Sequence, residues 1–165
     1  MPAEFRPRAQ LAHLAAHGVD FVVVGGIAAV LHGSERNTFD LDICPAQSRE
    51  NLDALGSALI EIDAKLRGID ENVPFVPDGR SLAGMQILTL DSSLGPIDVL
   101  TRPDGSPPYR SLRGRARTLD LAGAAVLVAS IDDLISMKRA ADRPKDREDV
   151  ERLEALLRLE RRLDR

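Results

Sequence analysis

The chain has no tryptophan, one tyrosine and one cysteine, and aromatic residues make up only 3% of its 165 residues. Each shortage excludes something. A lone Cys44 cannot close an internal disulfide, which fits a reducing compartment. With aromatics so few, the core has to be built from Val, Leu, Ile and Ala, and stacking platforms for single-stranded bases are scarce. No apolar run approaches the ~20 residues that span a bilayer. The opening Met-Pro-Ala-Glu-Phe-Arg lacks the apolar stretch of a signal peptide. A surplus of positive charge is also missing: the formal net charge is −4, which argues against a general nucleic-acid coat but leaves room for a local basic patch. The expectation is a cytoplasmic protein with no membrane partner.

What is present is an ordinary globular composition, 44% hydrophobic and 29% charged, enough to fill a core. The length suits one domain over 1–165, with a core at about 18–128 and a helical C-terminal segment at about 130–165. Residues 5–17 read as a helix stopped by Gly18. Phe21-Val22-Val23-Val24 is a β-branched run typical of a strand buried on both faces, ended by Gly25-Gly26, with a short helix over 27–31. Phe39-Asp40-Leu41-Asp42-Ile43 alternates strictly, placing Phe39, Leu41 and Ile43 on one face and the two acids on the other. Ser48 is a good N-cap for a helix running to about Leu66, and Gly- and Pro-rich residues 68–84 read as an irregular loop. Strands are predicted at 85–90, 97–101, 117–121 and 125–128. Ser130 begins a capping pattern into a helix at 131–141, and Pro144 suits the first turn of a last helix. The fold class is α/β (α+β), a small mixed sheet flanked by helices.

The sharpest chemical feature is the acidic pair. Asp40 and Asp42, two apart on a strand, project from one face a few ångströms apart and repel each other unless something neutralises them. Hard divalent ions such as Mg²⁺ take such pairs. Asp98, in Pro96-Ile97-Asp98-Val99-Leu100, offers a third carboxylate from a strand whose Ile97 and Val99 face away from it. If the two strands are neighbours, the three acids converge on one sheet edge, the arrangement that holds two metals about 4 Å apart. Gly25-Gly26 supplies the phosphate end of such a site: unpaired N–H groups at a helix start, with no side chain to keep an anion away. Alone, a Gly-Gly pair is equally a structural turn; followed by residues 27–39 and then Asp-Leu-Asp, it is a pattern.

That pattern resembles the DNA polymerase β-like nucleotidyltransferase superfamily. It comprises Val24-Gly25-Gly26, a spacer, Thr38-Phe39-Asp40-Leu41-Asp42-Ile43, and a later apolar-Asp-apolar strand. Within the superfamily the chain is most similar to the minimal nucleotidyltransferases and the AbiE-type enzymes of toxin–antitoxin systems. His32-Gly33, Arg36-Asn37-Thr38, Asp133-Leu134-Ile135-Ser136-Met137-Lys138 and Arg143-Pro144-Lys145-Asp146-Arg147-Glu148-Asp149-Val150 carry this finer likeness. The resemblance implies NTP-dependent transfer of a nucleoside monophosphate with Mg²⁺ or Mn²⁺, onto a tRNA end or a cognate toxin or antitoxin protein. It makes Asp40, Asp42 and Asp98 the catalytic and metal-binding acids, and Gly25, Gly26, Thr38 and Lys138 the nucleotide contacts. Many members carry Gly-Ser where this chain has Gly25-Gly26, so one hydroxyl contact to the triphosphate is missing, though Gly-Gly also occurs in the subgroup. The other reading is a non-catalytic module that binds a toxin.

Other residues carry a plainer reading beside the functional one. Lys138 falls on the apolar stripe of its helix, where a lysine either snorkels or meets an anion. Asp146 and Asp149 suit the first turns of the last helix through its dipole, with a Lys145–Asp149 pair available. Thr38 and Arg36 hold either a phosphate or simply the strand entry. His32 reads as a packing or helix-end histidine, with no second His or Cys at metal spacing, so zinc is not expected. Arg102, Arg110, Arg113, Arg115 and Arg117 form the one basic patch, suited to RNA phosphates or to solvent.

Overall fold

A computed structural model describes residues 3–70, 72–121 and 123–165. In chain order the elements are α1 (Pro7–Ala16), β1 (Phe21–Val24), α2 (Gly25–Leu31), β2 (Leu41–Pro45), α3 (Arg49–Glu61), β3 (Lys65–Leu66), α4 (Gly79–Ala83), β4 (Ile87–Asp91), β5 (Ile97–Leu100), α5 (Tyr109–Arg115), β6 (Arg117–Leu121), β7 (Ala124–Val128), α6 (Ile131–Ala141) and α7 (Pro144–Leu163). The strands make one mixed sheet in the order β3-β4-β5-β2-β1-β7-β6, with β2–β5 and β1–β7 parallel. The protein is thus the mixed α/β fold that the pattern of elements predicts.

The buried strand is β1. All four of its residues are buried, because β2 and β7 flank it and helices cover the sheet. At the site end of β2 and in β5 the burial alternates: Leu41, Ile43, Ile97 and Val99 are buried, whereas Asp42 and Asp98 are only half-buried on the other face; beyond Ile43, Cys44 and Pro45 are buried as well. Phe39 departs from the alternation that the sequence predicts. The strand begins at Leu41, and Phe39, still in the approach loop, is 73% exposed.

The caps hold as read. Ser48 accepts a hydrogen bond from the Asn51 amide and Ser130 from the Asp133 amide, each meeting an N–H that has no partner within its helix. Gly18, at φ +68°, ends α1. Helix α3 stops at Glu61, short of Leu66, since Asp63 turns left-handed (φ 51°) and residues 65–66 pair with β4. The loop expected over 68–84 contains α4, nucleated by a reciprocal capping box between Asp78 and Ser81.

Two contacts set where β5 begins. Gln10, fully buried on α1, donates from Nε2 to the carbonyls of Gly95 (3.0 Å) and Pro96 (3.1 Å). The Ser92 hydroxyl donates to Gly95 O at 2.7 Å. The turn that delivers Asp98 is therefore pinned from a helix on the far side of the sequence.

Candidate active site

The parallel pairing of β2 with β5 puts Asp42 opposite Asp98, and the antiparallel pairing of β1 with β2 puts Asp42 opposite Val24. A row across the sheet thus runs from the end of β1 through Asp42 to Asp98. Asp40 stands just before β2, and one carboxylate oxygen each from Asp40, Asp42 and Asp98 lies within 4.8 Å of the other two. The three acids singled out from the sequence are brought together.

Their electrostatics are severe. Asp42 is pushed up to about 7, first by burial and then by the negative charges of Asp40 and Asp98, with Lys138 opposing. Its Oδ1 is buried and has no hydrogen-bond partner among the described residues. Asp98 is also raised by burial; Arg67 opposes this and Asp40 adds to it. Arg67 is a site residue that the sequence reading missed. From the end of β3 it donates to Asp98 Oδ1 at 3.2 Å, to Asp91 Oδ1 at 3.1 Å and to Leu90 O at 2.9 Å. Nothing local marks it, because its partners lie more than twenty residues away.

Gly25 and Gly26 are not a passive turn. They form the first residues of α2, which starts two residues earlier than predicted. Gly25 has φ +67°, and a Cβ there would stand 2.1 Å from Asp42 Oδ2. A Cβ on Gly26 would meet Thr38 Oγ1 at 2.7 Å. Backbone and carboxylate therefore touch where any side chain would intervene. Thr38 donates weakly to Asp40 O (3.4 Å), so it joins the Gly26 backbone to the strand that carries the acids.

Lys138 reaches the site from behind. It is buried on α6, 3.4 Å from Asp146 Oδ1 and 3.3 Å from Asp149 Oδ2 of α7, and its charge is felt at Asp42. Asp149 also receives Arg36 at 2.5 Å, which supplants the predicted Lys145 pair. Asp146 is held down at about 2: burial would raise it, but hydrogen bonds from the Arg143 side chain and backbone, with Lys138, more than offset that. Three cations, Arg36, Lys138 and Arg143, and two buried carboxylates thus form a lattice beside the acidic triad.

Other predicted residues fall elsewhere. His32 closes α2 and donates from Nε2 to Ala129 O at 2.7 Å, the helix-end role expected. The basic patch is largely spent on the protein itself, with Arg113 on Asp20, Arg115 on Asp133 and Arg117 on Glu160. Among the described residues no helix is long and apolar enough to cross a membrane.

No protein-family model matches the sequence, and no curated protein matches it. Solved structures do. An antigenic nucleotidyltransferase-like protein from Paracoccidioides brasiliensis superposes over 92% of this chain and 73% of its own, with TM-score 0.57 and 17% identity. The antibiotic-resistance factor ANT(2'')-Ia, in complex with adenylyl-2''-tobramycin, matches over 94% of this chain and 95% of its own, with TM-score 0.51 and 17% identity. The chain has the fold of these nucleotidyltransferase-like proteins. That likeness is broader than the toxin–antitoxin subgroup whose motifs the sequence resembles.

Proposed function

We propose that the protein is a divalent-metal-dependent nucleotidyltransferase that moves a nucleoside monophosphate from an NTP to a hydroxyl and releases pyrophosphate. The observation that carries this is Asp42 Oδ1, a buried carboxylate oxygen without a partner, set beside two further carboxylates. Leaving such a carboxylate oxygen unpartnered is costly, and a bound cation removes that cost. The oxygen-only donor set fits a hard cation, held by Asp40, Asp42 and Asp98. Bound there, Mg²⁺ or Mn²⁺ would neutralise the acids and draw charge from the transferred phosphoryl group.

The chain's own residues do the rest. The Gly25-Gly26 backbone, open for want of side chains and backed by Thr38, cradles the triphosphate. Lys138 adds positive charge from the α6 side. Asp98 orients the acceptor hydroxyl and takes its proton as that oxygen attacks the α-phosphorus. The bond from the α-phosphorus to the bridging oxygen breaks, and pyrophosphate leaves. The motif resemblance supports a macromolecular acceptor, a tRNA end or a partner protein in a toxin–antitoxin pair. A purely binding module is disfavoured, since it gains nothing from three converging acids that destabilise the fold.

Incubation with each of four α-³²P-labelled NTPs tests the reading, with total RNA, the protein encoded beside this one and an aminoglycoside as alternative acceptors. Label in RNA or protein supports a macromolecular acceptor. Label only in the aminoglycoside makes the protein a small-molecule transferase, as the bound product of ANT(2'')-Ia suggests for that protein. No label and no NTP binding with Mg²⁺ present would overturn the enzymatic reading.

A further inference from the structure

A second cluster of ligating side chains lies by the chain entry to β1, away from the strand end that meets the acidic triad. His13 lies in the last turn of α1, His17 is the C-cap residue one turn on, and Glu61 is the last residue of α3. One donor atom from each lies within 4.8 Å of the other two. The imidazole centroids are 4.5 Å apart, with the rings inclined at 54°. The sequence reading, which expected no histidine at metal spacing, missed this i, i+4 pair.

The hydrogen bonds place one proton on each ring. His13 Nε2 is 2.7 Å from Ala58 O, and His17 Nδ1 is 3.0 Å from His13 O. A carbonyl oxygen only accepts, so in each ring that nitrogen carries the proton, and in a neutral ring the other keeps its lone pair. Metal-bound imidazoles are arranged this way, the outer N–H on a backbone carbonyl and the remaining lone pair on the ion. On His17 the lone-pair nitrogen, Nε2, stands 3.1 Å from Glu61 Oε2. Two acceptors at that distance require a positive charge between them, either a proton or a metal ion.

We propose that His13, His17 and Glu61 form a binding site for a borderline divalent transition-metal ion, represented by Zn²⁺. Two imidazoles and a carboxylate are a recurrent zinc set, with water as the fourth ligand. Their softness separates this site from the all-carboxylate triad, which suits Mg²⁺. Both histidines are partly accessible and Glu61 is exposed, so an ion enters from solvent without unfolding. Once bound, it ties the last turn of α1 to the end of α3.

The test uses the full-length chain carrying Asp40→Asn and Asp42→Asn, to keep zinc off the triad, titrated with Zn²⁺ against a chromogenic chelator. The expected result is one ion per chain, with affinity weakened by at least about tenfold in His17→Gln and in Glu61→Gln. Co²⁺ should give visible d–d absorption that His17→Gln removes, while circular dichroism stays unchanged. His13→Gln, which keeps a donor for Ala58 O, serves as the second histidine variant should His17→Gln fail to fold. Absence of binding, or binding that survives both histidine variants, would overturn the proposal and leave His17–Glu61 a simple ion pair.

Discussion

Asp42 and Asp98 are register partners on two parallel strands, and a carboxylate oxygen of one lies within 4.8 Å of a carboxylate oxygen of the other. The pair is a strained resource: what destabilises the fold without a ligand is what makes it bind one. This trade fixes the sign of several outcomes.

Stability of the metal-free protein should fall as the pH rises from about 4 to about 7. Asp42 binds its proton more tightly when folded, at about 7 against an ordinary 3.8. Its stabilising contribution is therefore complete below the unfolded value and lost as the pH climbs through the folded one, a change on the order of a few kcal/mol. Asp146, lowered to about 2, acts oppositely: its contribution is present above about 4 and lost as the pH falls towards 2. Urea unfolding in EDTA across pH 3–8 should show both limbs. Mg²⁺ should rescue stability more at pH 8 than at pH 5.

Asp42→Asn should flatten the neutral limb of that profile and raise the melting temperature of the metal-free protein by a few degrees. The same substitution should cut nucleotide transfer by about 10²-fold or more, as loss of a charge that anchors the reacting phosphate does. Asp98→Asn should reduce transfer more than NTP affinity. Scanning calorimetry and the labelled-NTP assay read the two effects separately; an Asp42→Asn variant as active as the parent would refute the mechanism.

Gly25→Ala should cost about 2 kcal/mol or more and abolish transfer, since the methyl group meets both a left-handed backbone and the Asp42 carboxylate. Gly26→Ala should be milder, because Gly26 is not left-handed and rotation about Thr38 χ1 relieves the 2.7 Å contact with Oγ1, leaving Thr38 Cβ at 3.1 Å to shift by a few tenths of an ångström. Denaturant titrations of the two variants, side by side, distinguish them.

Much of this site was legible because its signal is local. Asp40, Asp42 and Asp98 stand out as acids in strands that otherwise bury Leu, Ile and Val. Ser48 and Ser130 announce their helices within four residues. Long-range partners were invisible. Arg67 reaches Asp98 only through the β3–β4–β5 pairing, and Lys138 meets Asp146 and Asp149 only because α7 packs on α6. Phe39 misled because alternation alone does not show where a strand begins. The helix at 79–83 was lost to its Pro and Gly neighbours, which read as loop, and the one at 109–115, preceded by Pro107-Pro108, went unpredicted.

Lys138 shows what that blindness costs. Read as a lone buried cation, its removal should leave the fold unharmed. The structure places it between two buried carboxylates, so Lys138→Ala should destabilise by about 3 kcal/mol, with Arg36 and Arg143 leaving part of the charge balanced. If Lys138 also serves the triphosphate, NTP affinity measured well below the melting temperature should drop too. Unchanged affinity would confine it to the α6–α7 lattice.

The strand order also dictates a timetable. During synthesis the Val-rich β1 can pair with β2 early, but its other edge stays open until β7, near residue 128, leaves the ribosome. Asp98, which completes the acidic site, emerges well after Asp40 and Asp42. A nascent chain thus carries an unprotected sticky strand until β7 has emerged, and an incomplete acidic site until β5 has. Interruptions before β7 should yield insoluble, chaperone-dependent fragments, and those that end before Asp98 lack the third acid of the site.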